Sequence, residues 1–138
     1  MHFALQLLVS AVLIVLVTLV HGTGITISGK MLKYEDRQFK RRSLLFLEFH
    51  FMVPMALFLF ALHLFEIAIF AVFYLIAGPI TVEDALFASA SAYTTLGLAE
   101  TTLVDWRLVG ALEGLAGFLM IGWSVAVFMA EMEKVVKK

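Results

Sequence analysis

Apolar residues fall along this chain in three long blocks that are hydrophobic on every face, with polar residues gathered between them. Phe3 to Val20 carries one Gln and no charge, Leu44 to Gly78 forms a second block, and Leu108 to Ala130 a third. About 20 such residues cross a ~30 Å hydrocarbon core, so each block predicts a transmembrane helix. The second is longer than one crossing needs, roughly 50 Å at helical rise, and Pro54 within it predicts a kink. A cleaved signal peptide is the competing reading of the first block. No Lys or Arg precedes the apolar run, however, and no A-x-A-like site lies near His21 and Gly22.

Charge orients the spans, because short cytoplasmic loops carry the excess of Lys and Arg. Lys30, Lys33, Arg37, Lys40, Arg41 and Arg42 crowd the first polar stretch, and Lys134, Lys137 and Lys138 end the chain. The stretch between the second and third blocks has Glu83, Asp84, Glu100 and Asp105 against Arg107 alone. The pattern predicts a multi-pass protein of the cell (inner) membrane, with its N-terminus outside and its C-terminus cytoplasmic. Four segments follow: an N-terminal transmembrane helix (1–29), a basic cytoplasmic loop (30–43), a membrane domain (44–131) and a cytoplasmic tail (132–138). The loop is read as a topology signal, with contact to anionic lipid headgroups as the lesser alternative.

Composition narrows the classes. Of 138 residues 62% are hydrophobic and 15% charged, and mean hydropathy is +1.00, far from a soluble domain. A net charge of -1 gives no basic excess for nucleic acid, so no nucleic-acid partner is expected. The absence of cysteine removes disulfides, thiolate metal sites and a cysteine nucleophile. No Ser-His-Asp spacing, phosphate-binding loop or H-E-x-x-H motif points to an enzyme.

The stretch between the second and third blocks is too polar to cross the bilayer and too apolar for an ordinary loop. Gly78 and Pro79 end one helix. Thr81 and Asp84 have capping-box spacing, with Glu83 and Asp84 at the positive end of a new helix over about Val82 to Tyr93. About 12 residues give roughly 18 Å, enough to enter the membrane but not to cross it. Ala88, Ser89, Ala90, Ser91 and Ala92 allow close packing, and Thr94 to Glu100 form an irregular return. Irregular backbone at membrane depth is tolerated where it is buried in protein or lines a watery cavity. The helix would aim its negative end at a cation, and the carbonyls of Thr95, Leu96, Gly97 and Leu98 could replace the cation's water. These residues alone leave a structural hairpin as the equal alternative.

Tyr93-Thr94-Thr95-Leu96-Gly97-Leu98-Ala99-Glu100 resembles the filter signature of the potassium channels, Thr-Val-Gly-Tyr-Gly-Asp, with Thr95 to Glu100 on its six positions. The order of outer helix, short helix, filter and inner helix is similar to that of the small prokaryotic pore-loop channels, over about His63 to Met129. The resemblance implies an all-α membrane protein: three transmembrane helices plus a re-entrant pore helix and selectivity-filter loop, assembled as a tetrameric potassium-channel-like pore. It implies a homotetramer in the lipid bilayer passing monovalent cations, with potassium expected. The ions would be held by filter carbonyls of Thr95, Leu96, Gly97, Leu98 and Ala99, with Glu100 at the outer mouth. No cofactor is expected beyond permeant potassium or sodium. Leu98 stands where the family has Tyr, and Ala99 where it has its second Gly. These departures keep an alternative in view, a nonselective or non-conducting relative that acts as a membrane subunit or scaffold.

Other polar residues lie inside the apolar blocks. His63 and Glu66 are three apart on one helix face, which predicts a hydrogen bond to a neighbouring helix or, as the sharper reading, a proton or ion relay. Glu113 is read as packing on the short helix or lining a cavity, while Glu48 and His50 are expected to reach the cytoplasmic interface. Gly117 and Gly122 are candidate gating hinges, and Gly110 and Gly114 a close-packing pair. Trp106 and Tyr74 suit an outer aromatic belt. A haem would need histidines facing each other at matching depth. His21 and His50 are not expected to face each other in this way, and His50 and His63 share one helix. No row of Arg along a span suggests a voltage sensor.

Overall fold

The computed structural model describes residues 3–36, 44–97 and 104–136, and everything described is helix or short connection, with no strand among these residues. Four α-helices occur: α1 (Phe3–Asp36), α2 (Leu44–Ala77), α3 (Val82–Tyr93) and α4 (Arg107–Val136), the last preceded by a single 3-10 turn over Val104–Trp106. Segments Phe3–Gly29, Met52–Ala77 and Arg107–Glu133 are long and apolar enough to cross a membrane. The protein is therefore an all-helical, membrane-embedded chain.

The helices differ in detail from the hydropathy pattern. Helix α1 runs past the expected segment 1–29 to Asp36, and His21, Gly22 and Gly24 are internal to it. Tertiary contact explains this continuation. A Cβ at Gly24 would lie 2.6 Å from Leu62 Cδ2, so the missing side chain lets α1 cross α2 closely. Residues 30–36 of the expected basic loop are consequently helical, while Arg37, Lys40, Arg41 and Arg42 lie outside the described residues. Helix α2 continues through Pro54, and α4 continues through Gly117 and Gly122.

Contacts fix the relative directions. The Leu108 amide donates to Gln6 Oε1 at 3.1 Å, and Ser124 meets His21 at 3.4 Å, so α1 and α4 run parallel with a nearly constant offset. Helix α2 runs antiparallel to both, because Glu66 faces His21 while Tyr74 lies further along α2 against Glu113, nearer the start of α4. Helix α3 fills the space between α2 and α4. Its N-terminus is capped by Thr81, whose Oγ1 accepts from the Asp84 amide at 3.1 Å. Ala85, Ala88, Ser89 and Ala92 are buried against the long helices. The main apolar core joins Val17 of α1, Phe70, Ala71 and Tyr74 of α2, Ala85 and Ala88 of α3, and Val109 of α4.

Helix α3 ends in the middle of the bundle. Tyr93 packs beside His63 and against Gly117, whereas Trp106 returns to Phe73, with ring centroids 4.9 Å apart. From His63 to Phe73 is roughly 15 Å along α2, and from Trp106 to Gly117 roughly 16 Å along α4. The chain thus dips about half-way down the bundle and comes back to the end from which it started.

Candidate functional site

Two buried carboxylates organise the interior, and each has donors from other helices. Glu66 on α2 is fully buried. Its Oε1 accepts from His21 Nδ1 of α1 at 2.8 Å, and its Oε2 accepts from the Tyr93 hydroxyl of α3. His63 Nδ1 lies 2.9 Å from that hydroxyl oxygen and 3.3 Å from Glu66 Oε2. A carboxylate only accepts and a hydroxyl has one proton, so one ordering of donors satisfies the set. His63 donates to Tyr93, Tyr93 donates to Glu66, and His21 donates to Glu66. On α4 the Ser124 hydroxyl approaches His21 Nε2 at 3.4 Å, and the Trp123 ring centroid lies 5.2 Å from that of His21. All four helices contribute to this one cluster.

Glu113 on α4 anchors a second cluster nearer the start of α4. Its Oε2 accepts from the Tyr74 hydroxyl of α2, and its Oε1 lies 2.5 Å from Ser89 Oγ of α3. Ser89 also reaches the Ile67 carbonyl of α2 at 2.8 Å. Among the described residues no buried side-chain polar atom lacks a hydrogen-bond partner, as a carboxylate held away from water requires. Tyr74 is therefore not an interfacial belt residue but a fully buried donor, because its hydroxyl satisfies Glu113. Glu113 packs on α3 and lines no part of the groove described next.

The residues after α3 close its end. Thr94 is the C-cap, and Thr95 takes the left-handed conformation with φ 61°. The Thr95 amide donates to the Ala92 carbonyl at 3.0 Å, and the Leu96 and Gly97 amides donate to the Ser91 carbonyl at 3.0 and 3.2 Å. This is a Schellman cap with Thr where Gly is usual. The Ala90, Ser91 and Ala92 carbonyls near the end of α3 are thus used by the residues that follow it. In a trans peptide the carbonyl points opposite to the next residue's amide, and no cis bond occurs among the described residues. The Thr94, Thr95 and Leu96 carbonyls accordingly point away from α3. Gly97 has φ 122°, a conformation that disfavours any side chain.

An open groove of about 410 Å³ lies beside this segment, lined chiefly by Thr95, Gly97, Gly110, Gly114, Leu115 and Phe118. Gly114 and Gly117 are contact points for α3, since a Cβ would sit 2.9 Å from the Ala92 oxygen and 2.2 Å from the Tyr93 oxygen respectively. Gly122 faces open space. Leu98, Ala99 and Glu100 lie outside the described residues, as does the side chain of Glu48. His50 is exposed near the start of α2.

The expected pairing of His63 with Glu66 is present, and its partner on a neighbouring helix is His21, which the sequence pattern had put at a helix end. His21 and His63 do face each other at matching depth, with ring centroids 5.4 Å apart. The rings are in contact and the Glu66 carboxylate bridges their Nδ1 atoms, which leaves no slot for a haem macrocycle. Their ligand atoms and that of Glu66 all lie within 4.8 Å of one another, a spacing that could hold a metal ion. Tyr93, Ser124, Tyr74 and Ser89 were not singled out as site residues from sequence. The available signal is depth: with His21 inside α1, these polar positions fall into two layers. No family model, curated protein or solved structure matches the chain.

Proposed function

We propose that the chain is one subunit of a homotetrameric membrane channel that passes monovalent cations, potassium as the expected ion, down their gradient. The observation that carries this reading is the end of α3. A capped helix of 12 residues dips to mid-bundle and is followed by Thr95 and Leu96 carbonyls directed away from it. Groups of this kind replace an ion's hydration shell in cation filters. The open groove beside Thr95 and Gly97 supports the same reading, because small residues of α4 leave space next to those carbonyls. In this reading Leu98, Ala99 and Glu100 complete the filter and its outer mouth, four copies surround the pore, and the basic segment 30–43 with the tail faces the cytoplasm.

The test is the reversal potential of purified protein in a planar bilayer with potassium on one side and sodium on the other, repeated for Gly97→Ala. Space is not the obstacle at Gly97, where a Cβ meets nothing within 4 Å. The φ of 122° is the obstacle, because an L side chain is strained in that conformation, at a cost of about 1 kcal/mol or more per chain. A reversal potential shifted toward the potassium equilibrium value, with flux lost in Gly97→Ala while the oligomer still assembles, is the expected result. A reversal near zero identifies a nonselective pore. No current, or wild-type flux in Gly97→Ala, refutes a filter at these residues.

A further inference from the structure

The Glu66 cluster has more ligands than a helix tie requires. One donor and one acceptor suffice to join two helices, yet here two imidazoles and a phenol from three helices converge on a single carboxylate. We propose that His21, His63 and Glu66 form a binding site for a divalent first-row transition ion of the Zn(II) class, inside the bundle and apart from the groove at Thr95 and Gly97.

Three observations carry the assignment. The donor set is two nitrogens and a carboxylate with no sulfur, which suits zinc and its neighbours rather than a soft ion. The spacing fits: with metal–ligand bonds of about 2.0–2.2 Å, tetrahedral geometry puts ligand atoms roughly 3.3 Å apart. His21 Nδ1 and His63 Nδ1 stand 2.8 and 3.3 Å from the two Glu66 oxygens, and the whole set lies within 4.8 Å. His63 is 17% exposed and is the member free to close the remaining edge. Finally, supporting partners are in place. A metal on Nδ1 requires each imidazole to carry its proton on Nε2, and the Ser124 hydroxyl near His21 Nε2 can accept that proton as readily as it donates now. The Tyr93 oxygen, 2.9 Å from His63 Nδ1, is the natural fourth neighbour.

Co(II) is the probe, because tetrahedral coordination gives it visible absorption and Zn(II) does not absorb. Untagged full-length protein in detergent micelles, stripped with chelator, is titrated with Co(II) and then with Zn(II). One equivalent of Co(II) per chain, with bands removed by Zn(II), is expected. In a Trp106→Phe background Co(II) should also quench Trp123, whose ring lies against His21. His63→Gln and Glu66→Gln should each weaken binding at least about tenfold, since even loss of a supporting partner costs 10–100-fold. Circular dichroism and elution volume check that the variants fold. His63→Gln, at the partly exposed edge, decides the matter if Glu66→Gln does not fold. Visible bands absent up to about 1 mM Co(II), or saturable binding equal in wild type and His63→Gln, would overturn the site. The readout is binding, so it stands or falls separately from ion flux.

Discussion

An alanine at Gly117 would place its Cβ 2.2 Å from the Tyr93 carbonyl oxygen and 2.8 Å from Tyr93 Cγ. The obstructing atom is backbone at the last turn of α3 and cannot rotate aside. Tyr93 is also held by its hydroxyl bond to Glu66. Reaching ordinary contact therefore needs α3 and α4 to separate by roughly 1 Å, and overpacking of this kind costs about 1–3 kcal/mol. Against it stands the helical gain of Gly→Ala, about 1 kcal/mol. Strain wins because the separation also stretches the Tyr93–Glu66 bond, so Gly117→Ala should destabilise by about 1–2 kcal/mol. Gly122 supplies the control, since nothing lies within 4 Å of its Cβ. Gly122→Ala keeps the helical gain without the strain and should be neutral or stabilising by up to about 1 kcal/mol. Reversible unfolding in mixed micelles, followed by circular dichroism, measures both. Opposite signs are expected. Gly117→Ala as stable as Gly122→Ala would refute the close approach of α3 to α4.

Tyr74→Phe removes the hydroxyl that donates to Glu113 and leaves that buried carboxylate with Ser89 alone, so the same unfolding measurement should show a loss of about 1–3 kcal/mol. Thr81→Ala deletes the N-cap of α3 and should cost about 1 kcal/mol, read as faster hydrogen exchange at the Asp84 amide with the long helices unchanged.

Helix α3 was legible because its signals are local. Thr81, Glu83 and Asp84 mark its start, the small residues mark its buried face, and the Thr-Gly string marks its end; the helix spans Val82–Tyr93 as those signals predict. The three long helices were legible from hydropathy alone. Their ends were less so: α1 runs beyond the 1–29 segment to Asp36 and passes through Gly22 and Gly24, residues of low helix propensity. Tertiary packing overrides that local signal, with Leu62 filling the place of the missing side chain at Gly24.

The position of His21 explains most of what the sequence hid at the site. At the end of the first apolar block, His21 belongs to an interface and its imidazole has no reason to meet α2. In the structure His21 lies inside α1 at the depth of Glu66 and Ser124, and one residue joins three helices. The same reasoning applies to Tyr74, whose hydroxyl suits an interface as well as a buried acceptor. Only the presence of Glu113 opposite decides between them. In an apolar block a polar residue has few sites that satisfy it, so matching such residues by depth is a stronger constraint than the hydropathy of the block itself. Applied here, depth matching sorts the polar interior into a layer at Glu66 and a layer at Glu113. Both layers grip α3, through Tyr93 and Ser89 respectively. The short helix, whose buried face is mostly Ala and Ser, is held at mid-bundle by two carboxylates, and the position of the Thr95–Gly97 segment follows from that grip.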